Sequence, residues 1–170
     1  MKILQRTLII CLLSVVILQP LSGLGQIKTY SFDQIDSLQK IEKKTVVVFI
    51  HTNWCKFCAA MFSTTFKQED VIKKMNSDFY FVELDAEEKK SITFNNYQFR
   101  YKPTGTKTGT HELAEQLATI DKTISYPTLC FLNDKNKIIY QQRDYVDAKN
   151  LLAILNLLSG GLVQRSHLTF

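Results

Sequence analysis

Two cysteines separated by two residues end a β-branched and aromatic run, Phe49-Ile50-His51-Thr52-Asn53-Trp54-Cys55-Lys56-Phe57-Cys58. A pair at this spacing exchanges a disulfide for two thiols, or supplies half of a zinc site. No second such pair exists and the histidines, at 51, 111 and 167, are scattered, so zinc is the weaker reading. Position 59 is Ala59 rather than histidine, which excludes the simple c-type haem attachment motif. The thiolate is the reacting form in disulfide exchange, so the question becomes what would stabilise it. Val46-Val47-Val48-Phe49-Ile50 reads as a short buried strand and Ala59-Ala60-Met61-Phe62 as a helix opening, which puts the cysteines on a strand-to-helix junction. A thiol on the first turn of a helix faces unpaired backbone N–H groups and the positive end of the macrodipole. Cys55 is therefore the candidate nucleophile and Cys58 its partner.

Elements on both sides must hold this junction in place. Ile27 to Phe32 alternates weakly and is expected as a first strand, with Asp33 capping a helix that carries Ile35, Leu38 and Ile41 on one face. The helix after the cysteines is expected to break at Thr64-Thr65-Phe66, resume over Glu69 to Asn76, and lead into a strand from Phe79 to Asp85. Strand, helix, strand, helix, strand is the order that builds a parallel βαβ sheet. Asn95-Asn96 between Ile92-Thr93-Phe94 and Tyr97-Gln98-Phe99-Arg100-Tyr101 suits a hairpin turn, and Pro103 to Gly109 reads as a loop. Thr110 is expected to cap a helix with Leu113, Leu117 and Ile120 on one face. Strands Thr128 to Leu132 and Lys137 to Gln141, joined by a polar turn, precede a final helix capped by Asp147, with Leu151, Leu152, Ile154, Leu155 and Leu158 as its stripe and Gly160-Gly161 at its end.

A chain of 170 residues with 45% hydrophobic content can bury a core without disulfide staples. Residues 1–25 are of another kind. Lys2 and Arg6 make a basic start, Leu8 to Leu18 an apolar core, and Gly23-Leu24-Gly25 a small-residue cleavage site, the pattern of a secretory signal peptide. The alternative is an uncleaved N-terminal anchor facing the periplasm. Against it, the continuous apolar run is about half of the roughly 20 residues needed to span, and Pro20, Gly23 and Gly25 interrupt the stretch after it. The expected organisation is a signal peptide over 1–25, one domain over 26–160 and a tail over 161–170. Without Lys2 and Arg6 the formal charge drops from +5 to +3, too mild and too scattered to point to nucleic acid. Export implies an oxidising compartment. Of the four cysteines Cys11 would leave with the leader, and Cys55, Cys58 and Cys130 remain.

Trp54-Cys55-x-x-Cys58 after a hydrophobic strand, with Tyr126-Pro127-Thr128 before a β-hairpin and a terminal helix, resembles the thioredoxin superfamily over roughly Tyr30 to Gly160. Cys58-x-x-Met61, Thr65-Phe66, Val71-Ile72 and Leu84-Asp85-Ala86-Glu87 look most like exported bacterial thioredoxin-like proteins. The resemblance implies a three-layer α/β/α sandwich around a mixed sheet, with a β-hairpin insertion at about 91–110 before a cis proline at Pro127. It implies that the backbone of Tyr126 docks an extended client segment, with Trp54, Phe57 and Tyr126 as an apolar collar around Cys55. It also implies a thiol–disulfide oxidoreductase of the periplasm, with no cofactor beyond the Cys55–Cys58 pair. Its partners would be thiols or disulfides of exported proteins and a redox partner protein.

Two departures from thioredoxin are visible. The buried acid six residues before the first cysteine corresponds to Phe49, and its strand lysine partner to Phe81. The inter-cysteine pair is Lys56-Phe57, so the direction of electron flow is left open. Lys56 is a candidate for tuning the thiolate, or a solvated lysine. Glu83 shares a strand face with Phe81 and is expected at the rim. His51 and His111 are expected at the surface, Cys130 as a buried inert thiol. The alternative to catalysis is a thioredoxin-fold binding module in which Cys55–Cys58 is structural.

Overall fold

The computed structural model describes residues 25–106 and 108–160. The leader and the tail expected at the two ends lie outside the described residues, apart from Gly25. The centre is a four-stranded sheet of β1 (Thr45–His51), β2 (Phe79–Asp85), β9 (Thr128–Leu132) and β10 (Ile138–Arg143), in the order β10-β9-β1-β2. β1 runs parallel to β2 and antiparallel to β9, and β9 pairs antiparallel with β10, so the sheet is mixed. Six of the seven residues of β1 are buried, which explains why it reads as a continuous apolar run rather than an alternation.

Helices cover both faces. Val46, Val48 and Ile50 face a core shared with α1 (Phe32–Ile41) and α4 (Glu112–Ala118). Val47 and Phe49 face the opposite core with Cys55 and Cys58, built by α2 (Lys56–Ser63), α3 (Glu69–Asp78) and α5 (Ala148–Gly160). This is the three-layer sandwich that the resemblance implied. A 3-10 turn at Thr65–Lys67 separates α2 from α3, where the threonines signalled a break. Asp147 caps α5, its Oδ1 accepting the Asn150 N–H at 2.8 Å, and Leu151 and Leu155 are fully buried.

Several boundaries differ from expectation. The segment from Ile27 to Phe32 is no strand: Thr29 makes one parallel bridge to Phe81, and Ser31 then starts α1. Ser31 rather than Asp33 is the cap, its N–H donating to Gln34 Oε1 at 2.9 Å, while Asp33 sits in the first turn where the dipole favours it. The insertion holds two hairpins. β3 (Ile92–Phe94) and β4 (Tyr97–Phe99) turn at Asn95 and Asn96, with φ of 55° and 61°, the left-handed pair of a tight hairpin. Arg100 interrupts the second arm because its N–H donates to Glu112 Oε2 and its carbonyl accepts the Glu112 N–H. Tyr101 thus belongs to β5 (Tyr101–Pro103), which pairs with β6 (Gly109–His111), so the expected loop at 103–109 keeps its middle and gives its two end residues to strands. A Cβ on Gly109 would lie 2.4 Å from the Lys102 carbonyl oxygen and 2.5 Å from the Tyr101 ring, so only glycine fits there. α4 ends at Ala118, and Ile120 lies in a small hairpin of β7 (Thr119–Ile120) and β8 (Thr123–Ile124), turned by Asp121 and Lys122 at φ of 51° and 64°.

Candidate active site

β1 delivers the chain to the rim of the sheet at His51, and the Cys55 N–H closes a turn onto the Thr52 carbonyl at 3.2 Å. Cys55 is the N-cap of α2 in an extended conformation, and its Sγ accepts the Cys58 N–H at 3.1 Å. Serine and threonine caps use their oxygen in this way; here sulfur takes the place. The same N–H and the helix dipole favour a negative charge on that sulfur once the pair is reduced. Cys55 and Cys58 are joined in a disulfide. Cys55 is 6% exposed and Cys58 1%, so the first sulfur is the one a partner can reach.

The Tyr126–Pro127 peptide is cis, as the resemblance implied. Trp54 and Tyr126 meet edge to face with ring centroids 6.2 Å apart, while Trp54 stays 67% exposed. Phe57, expected in the same collar, packs against Tyr145 with ring centroids 6.5 Å apart and is 64% exposed. The aromatics near the disulfide thus form two pairs, Trp54 with Tyr126 and Phe57 with Tyr145. Tyr145 is pinned from both directions: the Asp144 N–H donates to the Pro127 carbonyl, Thr64 Oγ1 lies 3.3 Å from the Tyr145 hydroxyl, and Thr65 Oγ1 donates to the Val146 carbonyl. Sequence reasoning missed Tyr145, although an aromatic between a strand and the Asp147 cap was a signal that such a loop displays it.

Beneath the disulfide the floor is apolar. Phe49 stacks edge-on with Phe62 at 5.1 Å and with Phe66 at 4.9 Å, and Phe66 meets Phe81 at 5.4 Å. Phe49 and Phe81 are both buried, so no charged pair lies there, in keeping with the sequence. Glu83 is exposed and accepts a hydrogen bond from Thr29 Oγ1, a rim position as expected. Asn53 Nδ2 donates to Asp85 Oδ2 at 3.0 Å and ties the loop before Trp54 to the end of β2. Lys56 is exposed and forms no ion pair among the described residues.

Both described histidines differ from expectation. His51 is half-buried, stacked on Phe49 at 5.6 Å and edge-on to Phe62 at 5.2 Å. Burial holds its pKa below the ordinary 6.5, against the opposing pull of Asp85 and Glu83. His111 is fully buried at the start of α4 rather than on the surface. Cys130 is buried as expected, on the other face of the sheet, where burial pushes its thiol up to about 12. Among the described residues no group of three or more His, Cys, Asp or Glu is placed to hold a metal ion. No described helix is long and apolar enough to cross a membrane. A cleft of about 630 Å³ lies between the insertion and α4, lined by Phe94, Tyr97, Phe99, Lys102 and Glu115 among others, and none of its residues belongs to the disulfide rim.

No curated protein matches the sequence. Among solved structures, the fold is similar to that of a putative disulphide-isomerase from Bacteroides thetaiotaomicron, at 22% identity and a TM-score of 0.55 over 80% of this chain and 95% of the other. It is similar also to a thioredoxin from Thermus thermophilus, at 16% identity and a TM-score of 0.57 over 85% and 98%, and to a DsbH oxidoreductase, at 15% identity and 0.55 over 82% and 89%. At these identities the likeness concerns the fold. The model of the thioredoxin-like domain family matches residues 32–159, and with its paired cysteines at the head of α2 and its cis proline this chain belongs to that family.

Proposed function

We propose that the protein is a thiol–disulfide oxidoreductase working through Cys55 and Cys58. The observation that carries the reading is the graded exposure of a bonded cysteine pair at a helix N-terminus: a reachable sulfur on the cap and a covered one in the turn behind it. In the reducing direction the Cys55 thiolate attacks one sulfur of a client disulfide, and the second client sulfur leaves as a thiolate that takes a proton from water. Cys58 then loses its proton and attacks Cys55 Sγ, the client's remaining sulfur leaves, and the Cys55–Cys58 disulfide re-forms. Two electrons have passed to the client, and a partner dithiol restores the pair. Run backwards, the same steps oxidise the client and leave the pair reduced.

The clients are proteins, because the disulfide sits between protruding rings rather than inside a small-molecule cleft. An extended segment would lie along the Tyr126 backbone at Pro127, with the Trp54–Tyr126 and Phe57–Tyr145 pairs near the sulfur. Lys56 adds a solvent-screened positive charge beside the thiolate, a minor effect. We place the domain in the periplasm, acting on exported proteins, on the leader-like composition of residues 1–25.

Cys58→Ala removes the resolving thiol and is expected to hold clients as mixed disulfides through Cys55, released by dithiothreitol. A folded variant that captures nothing would overturn the exchange mechanism. A pair potential well below about −300 mV would instead make Cys55–Cys58 a structural bridge in a binding module, and the potential otherwise fixes the direction of transfer.

A further inference from the structure

His111 joins the insertion to the sandwich. It is the last residue of β6 and the N-cap of α4, is 0% exposed, and its Nδ1 accepts the Leu113 N–H at 3.2 Å. Because Nδ1 accepts, the ring proton sits on Nε2, which is buried beside the Lys90 carbonyl without a hydrogen bond. The backbone is engaged as well: the His111 N–H donates to the Ala86 carbonyl at 2.7 Å, and its residue pairs with Tyr101 of β5. The groups facing the ring are Tyr101 across the pair, Glu112 on α4, and Glu88 with the Lys90 carbonyl in the turn after β2.

We propose that His111 is an acid-sensitive latch: neutral, it caps α4 and holds the β5–β6 hairpin on the sandwich, and protonation at Nδ1 releases that hairpin. Protonation puts an N–H on Nδ1, the atom that accepted the buried Leu113 N–H, so the cap is replaced by a donor facing a donor. Burial holds the His111 pKa below 6.5, although Lys90, Glu112 and Glu88 pull the other way. A histidine whose folded pKa is depressed contributes stability that is complete above about 6.5 and is lost as pH falls toward the folded value. Acid, not base, therefore opens the latch. Thr110, the neighbour of His111 in β6, sets its hydroxyl beside the Tyr126 phenol. Opening thus loosens the support of the client-docking edge. That functional half rests on the exchange reading, whereas the opening itself does not.

Amide hydrogen exchange on the full protein tests the latch. At the Leu113, Glu112 and His111 amides, opening is expected to rise from pH 7.5 to pH 5.5, by up to about tenfold, after correction for intrinsic rates and relative to β1 amides. His111→Asn supplies a cap that does not titrate and is expected to abolish the rise. Equal protection at both pH values, or the same rise in the Asn variant, overturns the latch. Should the variant not fold, the ring proton shifts of wild-type His111 decide instead: titration below about 6.5 supports the latch, and titration at or above it overturns it. Client capture by Cys58→Ala, with and without His111→Asn, reads the functional half. Amides that open while no client is ever captured would count against the exchange reading and leave the latch standing.

Discussion

The two faces of the sheet carry cysteines of equal burial and opposite chemistry. On one face Cys58 is 1% exposed, on the first turn of α2 and bonded to the N-cap. On the other, Cys130 is 0% exposed in mid-strand, and burial pushes its thiol up to about 12. Burial alone raises a thiol pKa; burial at a helix N-terminus brings in N–H donors and a dipole that oppose the rise. The faces also differ in construction. The one bearing the disulfide rests on interlocked phenylalanines, whereas the other is closed in part by the β3–β4 hairpin through Ile92, Phe94 and Phe99.

Three substitutions put this contrast to the test. The largest effect is expected on the disulfide face: Phe49→Ala empties a site that is 0% exposed between Phe62 and Phe66, and should cost about 3–5 kcal/mol in chemical denaturation. A cost below about 1 kcal/mol would mean that the aromatic floor is not the anchor described. Gly109→Ala comes next. Its Cβ meets the Lys102 carbonyl and the Tyr101 ring, so about 1–3 kcal/mol should be lost, with exchange protection falling in β5 and β6 but not in β1. Uniform loss across the molecule would show that the insertion and the sandwich unfold as one unit. The smallest effect belongs to Cys130→Ala, about 1 kcal/mol, with client capture by Cys58→Ala unchanged in the double variant. Capture that drops with Cys130 would undo the division between the faces.

Legibility in the sequence ran along the same division. Val46 to Ile50, Phe79 to Asp85 and Thr128 to Leu132 were readable because deeply buried strands concentrate β-branched, aromatic and leucine residues in short runs, and the structure starts or ends them within a residue of that reading. The Cys55-x-x-Cys58 junction and Pro127 were readable for a similar reason: few residue types serve there. His111 was not, since its burial depends on Ala86 and Lys90 folding over it from a distant turn. The break at Arg100 was equally hidden, because a carboxylate on α4 claims the backbone there. Ser31 won the cap from Asp33 through Gln34, a contest between neighbours that composition does not decide. Tyr145 was overlooked because its display depends on Asp144 adopting φ 72° and on threonines at 64 and 65, about eighty residues away in the chain.

The segment before α1 is stitched down at the opposite pole from the chemistry. Asn76, in the last turn of α3, donates to the Gln26 carbonyl and accepts from the Lys28 N–H, and the Tyr30 N–H donates to the Phe81 carbonyl along the outer edge of β2. The polypeptide thus enters beside the start of β2, while the sulfurs sit past the far end of β1. Any tether joined through residue 25 would hold the domain by its base, with the disulfide rim at the end away from it.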